Sequence, residues 1–279
     1  MATRAHMRLA LPSSAENVAL VRRAIRGLAD AAGLERSQSD DIGTAVTEAC
    51  NNASQHAYPA GSGPLEVEFL VGSAATAVTV RDHGAGVPVN AHARRKFPDG
   101  DEAPEGGFGL PTINALADDA SWSEPAGGGT VVEMHFATEP RHARRLGPGC
   151  DLSRTDGVGG RDRAGALEVA MAPLSVARSV LPRVLDAMAG GAHFSREGHV
   201  SLQRICFFLL ADPSLDANAV GVQARVVIDE GELELALGSA DGGDFHPLDD
   251  AMRHLERELD TSAVRLRGGA RGLKVRVER

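Results

Sequence analysis

Near the N-terminus, apolar positions alternate with period two, shift to the 3.6-residue period of a helix, and later return to alternation. The run Met7 to Leu11 alternates and stops at Pro12, which reads as a short strand. Ser13 and Ser14 each offer an N-cap to the helix beyond them, with Glu16 placed for a capping box if Ser13 caps. Val18, Val21, Ile25 and Leu28 then recur at helical spacing, and Gly33 supplies the stop. A second helix is expected over roughly 39–57, with Ile42, Ala45, Val46, Ala49 and Ala53 on its buried stripe. The Pro59-to-Pro64 stretch breaks the chain. Two period-two runs come next, Leu65/Val67/Phe69/Val71 and Thr76/Val78/Val80, joined by a link short enough for a hairpin. Residues 83–107 are rich in Gly, Pro, Asp and charge, a long loop of the kind that is usually functional. A helix is expected from Leu110 to about Asp118, then a strand pair, Ser121–Glu124 and Thr130–Phe136, around the Gly127-Gly128-Gly129 turn. Hairpin strands with helices gathered between them predict an α+β two-layer sandwich rather than a doubly wound parallel sheet.

Residues 139–165, with Pro140, six arginines and many glycines, read as a linker. It divides an expected first domain, 1–138, from a second, 166–279. The second repeats the order of the first. Leu167 to Pro173 echoes the first strand and its proline, and Val180, Leu181, Val184, Leu185 and Met188 make an apolar helical stripe. Gly190 and Gly191 fall where Gly33 fell, and a more hydrophobic helix runs from Val200 to Leu210. Val222/Ala224/Val226/Ile228 and Leu233/Leu235/Leu237 then superpose on the first hairpin at one constant offset. A charged helix, Leu248 to Leu259, and a strand through Leu273, Val275 and Val277 complete the series. A tandem repeat is the expectation.

Composition narrows the function. At 279 residues with 43% hydrophobic and 24% charged side chains, the chain is globular and long enough for two domains. A net charge of −9 makes it a poor candidate for gripping nucleic acid, whose affinity comes mainly from phosphate neutralisation. The only lysines are Lys96 and Lys274, and neither sits in a phosphate-gripping loop or strand motif. Three scattered cysteines suit a reducing compartment. No apolar run approaches the ~20 residues that span a bilayer, and the first residues lack a signal-peptide core. A soluble, cytoplasmic protein without membrane contact is expected.

Chemistry concentrates at four places. Glu48 and Asn52 are four residues apart on the second helix and share a face, with His56 one turn further. A glutamate can take a proton from an attacking hydroxyl, and an amide oxygen suits Mg²⁺. Asp82-His83-Gly84-Ala85-Gly86 ends a strand; such a carboxylate can accept a hydrogen bond from the exocyclic amine of a purine. Gly106-Gly107-Phe108-Gly109 opens a helix, and glycine-rich backbone at a helix N-terminus binds anions without lysine. Gly129-Thr130 precedes the last strand of the first half. No histidine cluster has metal-ligand spacing, and His56 and His83 read as structural or polar-lining residues.

In this order, E-x-x-x-N, D-x-G-x-G, G-G-x-G-L and G-T resemble the nucleotide-binding boxes of the Bergerat-type (GHKL) ATPases, which include gyrase, histidine kinases and MutL. Within that superfamily, the wording from Val46 to Pro59 resembles the anti-sigma-factor serine kinases, over about residues 6–138. The resemblance implies ATP and Mg²⁺ as cofactors, Glu48 as general base, Asn52 as Mg²⁺ ligand and Asp82 as adenine reader. It also implies that Gly84 and Gly86 line the adenine pocket, and that Thr130 joins its floor. Gly107, Gly109 and Leu110 would hold the phosphates under a lid of roughly 87–105. Arg22 becomes a partner contact, the partners being a sigma factor and an antagonist protein phosphorylated on serine. A homodimer or an internal pseudo-dimer is implied. The alternative is an ATP-gated protein clamp without phosphotransfer. Few residues precede the Glu48 helix, which argues against a sensor histidine kinase. The gyrase and MutL types need a phosphate-reaching lysine, for which Lys96 and Lys274 are poor candidates. In the second half, Glu48 aligns with Phe208, Asn52 with Asp212 and Asp82 with Ser239, so that copy is expected to be non-catalytic.

Overall fold

The computed structural model describes residues 3–59, 61–85, 109–138, 166–191, 196–211, 221–229, 232–240, 264–269 and 272–278. Gly86, Gly107, the expected lid, the 139–165 linker and the expected helix at 248–259 lie outside the described residues.

The first strand, β1 (Thr3–Pro12), is longer than its alternation predicts. Ala5 extends the inward stripe of Met7, Leu9 and Leu11, all buried. On the opposite face His6 is only 2% exposed, yet its Nε2 lies 2.7 Å from Glu68 Oε1, so the imidazole is not left unpaired. Helix α1 (Ala15–Ala32) starts at Ser14, whose Oγ accepts the Asn17 N–H at 3.4 Å. Ser13 is used elsewhere: its hydroxyl accepts the Gly63 N–H at 3.1 Å, so the capping box with Glu16 does not form. Gly33 ends the helix at φ 70°, in the left-handed region that glycine adopts without penalty.

Helix α2 (Arg36–Asn52) begins earlier than expected and gives way to a π-helical turn, Ala53–Ala57. The hairpin is built from β2 (Pro64–Gly72) and β3 (Ala75–Asp82), antiparallel, with Val67 opposite Val80 and Phe69 opposite Val78. Helix α3 (Gly109–Leu116), β4 (Asp119–Ser123) and β5 (Val131–Ala137) complete the first half. The α+β expectation holds: antiparallel strands form an open sheet with the helices packed on its apolar face.

The second half supplies β6 (Ala166–Ala172), α4 (Leu174–Gly191), α5 (Arg196–Ala211), β7 (Val222–Asp229), β8 (Glu232–Ser239), β9 (Val264–Gly269) and β10 (Gly272–Glu278). Helix α4 continues through Gly190 and Gly191 rather than stopping before them. The ten strands among the described residues belong to one sheet, ordered β4-β5-β3-β2-β1-β6-β7-β8-β10-β9. At its centre β1 and β6 pair antiparallel, Met7 opposite Met171 and Leu9 opposite Val169. Counted outward from that pair, both sides run first, second, third, fifth and fourth strand.

The helix layer is joined at the same seam. A Cβ on Gly27 of α1 would lie 2.7 Å from the Ser179 carbonyl oxygen and from the Val180 Cα of α4, so the two helices meet backbone to backbone. Beside this crossing Arg183 Nη2 is 2.5 Å from Asp30 Oδ2. Side chains from both halves, including Met7, Leu28, Phe69, Met171, Leu181 and Leu202, form one buried apolar cluster. Burying each such side chain is worth about 1.5–3 kcal/mol, so the seam holds the halves far more firmly than the exposed Asp30–Arg183 pair, worth at most about 1 kcal/mol.

Candidate functional site

The site is assembled at the C-terminal end of α2. Glu48 and Asn52 stand one turn apart, both partly exposed, while Ala45, Val46, Ala49 and Cys50 turn into the core. A Cβ on Gly109, the first residue of α3, would lie 3.2 Å from Glu48 Oε2 and 3.2 Å from Asn52 Oδ1. The start of α3 therefore sits directly against the carboxylate and the amide. A helix N-terminus carries unpaired N–H groups and partial positive charge, which suits an anion beside these two side chains. Leu110 comes next in the same turn, half-buried.

Asp82 is the last residue of β3 and is 5% exposed. Its Oδ1 accepts N–H groups from Gly84 at 3.0 Å and Thr130 at 3.2 Å, and its own N–H donates to the Thr130 carbonyl at 3.0 Å. Gly129 (φ 84°) lies so close to the Asp82 carbonyl that any Cβ there would overlap it. Beside this carboxylate the Thr130 hydroxyl is buried without a hydrogen-bond partner. Such an orphan costs about 1–3 kcal/mol, and a bound polar molecule would satisfy it.

The π-helical turn ties these two parts together. The Ala57 carbonyl accepts the Ala85 N–H at 2.9 Å, and Gly84 lies so close to that carbonyl that a Cβ would overlap it. Tyr58 accepts the His83 N–H at 2.8 Å and donates its own proton to the Pro64 carbonyl at 2.5 Å. Burial, with the nearby Asp82 and Glu66 charges, pushes the Tyr58 pKa up against the lowering effect of its His83 bond, so the phenol stays protonated at neutral pH. His83 Nε2 lies 2.9 Å from Glu66 Oε1, and His56 is exposed on the turn. No role was expected for Tyr58; only the π-helical turn, which has no periodic signature in sequence, brings it under the loop.

Arg22 is exposed on α1 and stands apart from this cluster. Its Nε donates to Thr47 Oγ1 at 2.8 Å, and Thr47 in turn donates to the Gly43 carbonyl at 2.5 Å. It lines a groove between α1 and α2 with Arg26, Asp40 and Thr44. The structure thus brings Glu48, Asn52 and Gly109 together, joins Asp82, Gly84 and Thr130 in a second group, and leaves Arg22 outside both.

A profile of the histidine kinase-like ATPase domain matches residues 11–136. A "Serine-protein kinase RsbW" of Bacillus thuringiensis (strain Al Hakam) is 32% identical over 114 residues, covering 39% of this chain and 71% of that protein. The protein of the same name from Bacillus cereus (strain AH187) is 33% identical over 115 residues, with the same coverage. The chain belongs to the anti-sigma-factor serine kinase family. Its family match ends where β5 ends, so the second half lies outside it. A solved structure titled "Structure of crystal form I of TP0453" aligns over 99% of this chain and 88% of its own at TM-score 0.38 and 9% identity, too loosely to bear on the fold. Family membership implies ATP binding with a divalent metal. The residues present fit both: a carboxylate and an amide offer hard oxygen donors, Gly109 leaves the room a side chain would fill, and the Thr130 hydroxyl awaits a partner. Among the described residues no helix is long and apolar enough to cross a membrane.

Proposed function

We propose that the chain is an ATP-dependent protein serine kinase that also holds a sigma factor, its acceptor being a serine on an antagonist protein. The observation that carries this is the approach of Gly109 to both Glu48 and Asn52, which puts base, amide and helix N-terminus at one point. Bound MgATP supplies the phosphoryl group and neutralises its charge. Glu48 would accept the proton of the acceptor serine hydroxyl, Asn52 would hold the metal through its amide oxygen, and the N-terminus of α3 would receive the phosphates together with Gly107 and Leu110. Asp82 accepts from the adenine amino group through the oxygen not engaged by Gly84 and Thr130. Gly84 and Gly86 line the ring's pocket, Gly84 with its own Cβ position taken up by the Ala57 carbonyl, and Thr130 hydrogen-bonds at the floor. Phosphoryl transfer needs positioning and charge neutralisation above all, so this set suffices without a lysine. The sigma factor and the antagonist dock beside Arg22, in the groove between α1 and α2.

Radiolabelled ATP with wild type and Glu48→Gln, offered to candidate antagonist proteins, tests the assignment. Wild type should label one antagonist on serine, and the variant should lose about 10²–10⁴-fold in rate while still binding ADP. Nucleotide binding without labelling of any serine-bearing partner would instead establish an ATP-gated clamp.

The second half is read as a degenerate repeat, residues 166–279, that has kept the core and lost turnover. The strand pairing β1–β6 and the α1–α4 crossing support it, as does the sequence alignment that sets Phe208, Asp212 and Ser239 on Glu48, Asn52 and Asp82. It fills the position of a second subunit, making an internal pseudo-dimer. Light scattering should then give the mass of one 29.1 kDa chain; a twofold larger particle would sink the idea.

A further inference from the structure

Between the two groups of site residues lies a span of chain that does no chemistry, and its hydrogen bonds tie it to the start of β2 and to the loop after β3. Tyr58 leaves the π-helical turn at the end of α2, well beyond Glu48, and its ring is laid over Gly63 so closely that a Cβ there would overlap it. That contact fixes the ring. The hydroxyl then bridges two strands of the sheet, donating to the Pro64 carbonyl at the start of β2 and accepting the His83 N–H just past the end of β3. His83 is held a second time through Glu66, and the next two residues rest on the Ala57 carbonyl. The loop that carries Gly84 is therefore clamped from below by the same short turn that ends the helix of Glu48 and Asn52.

We propose that Tyr58 is a positioning residue for nucleotide recognition: its hydroxyl fixes the loop after Asp82 to the end of α2, so that base and phosphate ends of the pocket are held at one spacing. This role rests on the assignment of the Asp82 group to adenine. The physical reason lies in where the backbone donors go. The Gly84 and Thr130 N–H groups are both directed at Asp82 Oδ1, which sets that carboxylate's orientation. Thr130 holds the carboxylate from β5, and the Gly84 bond holds it from the loop only while Gly84 stays in place. Gly84 stays in place because His83 before it and Ala85 after it are bonded to Tyr58 and Ala57. Removing the phenolic oxygen frees the His83 N–H, and each binding event must then bear the cost of ordering the loop.

The test is binding of a fluorescent ADP analogue to the full chain, wild type against Tyr58→Phe, which keeps the ring over Gly63 and removes only the oxygen. Affinity should fall about 5- to 20-fold, and the preference for ADP over GDP should fall with it, because base reading depends on the Asp82 orientation. Thermal unfolding without nucleotide should move by no more than a few degrees. A lowered unfolding temperature with ADP affinity and base preference within about twofold of wild type would make Tyr58 structural only and overturn the proposal. Wild type that binds no adenine nucleotide would instead overturn the assignment of the Asp82 group, and this role with it.

Discussion

The two sides of the β1–β6 seam carry the same inward apolar code and different ends. At a fixed offset, Leu65 corresponds to Val222, Val67 to Ala224, Phe69 to Val226, Val78 to Leu235 and Val80 to Leu237, and every one of these is buried. Immediately past those runs the sides part. Strand β3 ends on Asp82, bonded to Gly84 and Thr130, where β8 ends on Ser239. Helix α2 presents Glu48 where the second half has Phe208. A sheet of this kind is specified by alternating burial along its strands, whereas chemistry needs a few side chains at strand and helix ends. A shared core pattern therefore does not by itself carry a site.

The sharpest way to break the contrast is to give the first side the residue of the second. Asp82→Ser removes the acceptor shared by the Gly84 and Thr130 N–H groups and the carboxylate proposed to read the amine, and serine can reach one of the two donors at best. ADP binding should weaken about 100-fold or more in a calorimetric titration, with a loss of about 1–3 kcal/mol in urea unfolding. Retained ADP affinity would show that the difference between the two strand ends has nothing to do with the nucleotide.

A second substitution tests whether the sides depend on each other. Gly27→Val would drive a side chain into the Ser179 and Val180 backbone, which cannot move aside as a flexible side-chain end can. It should cost about 2–4 kcal/mol in urea unfolding, since overpacking against fixed atoms strains both helices. Gly43→Ala on α2 is the matched control: nothing stands within 4 Å of its Cβ, so it should gain about 0.5–1 kcal/mol from helix propensity alone. Equal, small effects at both glycines would mean that the α1–α4 crossing holds nothing together.

These two glycines look alike in sequence and differ in the fold, which shows how far local pattern reaches. Both lie inside amphipathic helices, and the stripe of Val18, Val21, Ile25 and Leu28 says which face of α1 is buried without saying what crosses it. Although the short β9, Val264–Gly269, was not expected, most strands were legible because alternation is local. The pairing of β1 with β6 was not, since period two fixes the face of a strand and leaves its neighbour open. Glu48 and Asn52 were legible as a pair from their spacing, and Ser14 as one of two possible caps. The π-helical turn, and with it the strut through Ala57 and Tyr58, needs the tertiary contacts of the loop after β3 to exist at all. Helix α4 runs through Gly190 and Gly191 for a similar reason: glycine permits a stop without requiring one.

A smaller change at the site itself separates site from scaffold most cleanly. Gly109 opens α3 with no left-handed conformation to protect, so alanine fits its backbone and helix propensity favours the change by up to about 1 kcal/mol. The nearest atoms the added Cβ meets among the described residues are the ends of the Glu48 and Asn52 side chains, at 3.2 Å, and these can rotate away. Rotation spares stability and spoils alignment, and a misplacement of this size in the proposed base and metal ligand costs on the order of 10-fold in rate. Gly109→Ala should therefore unfold at the same urea concentration as wild type or a little higher, while transferring phosphate about 10-fold more slowly. Unchanged transfer in a stabilised variant would mean that Glu48 and Asn52 do not act at the point where α3 begins. A loss of stability would mean that Gly109 serves the packing of α3 on α2, as Gly27 serves the packing of α1 on α4.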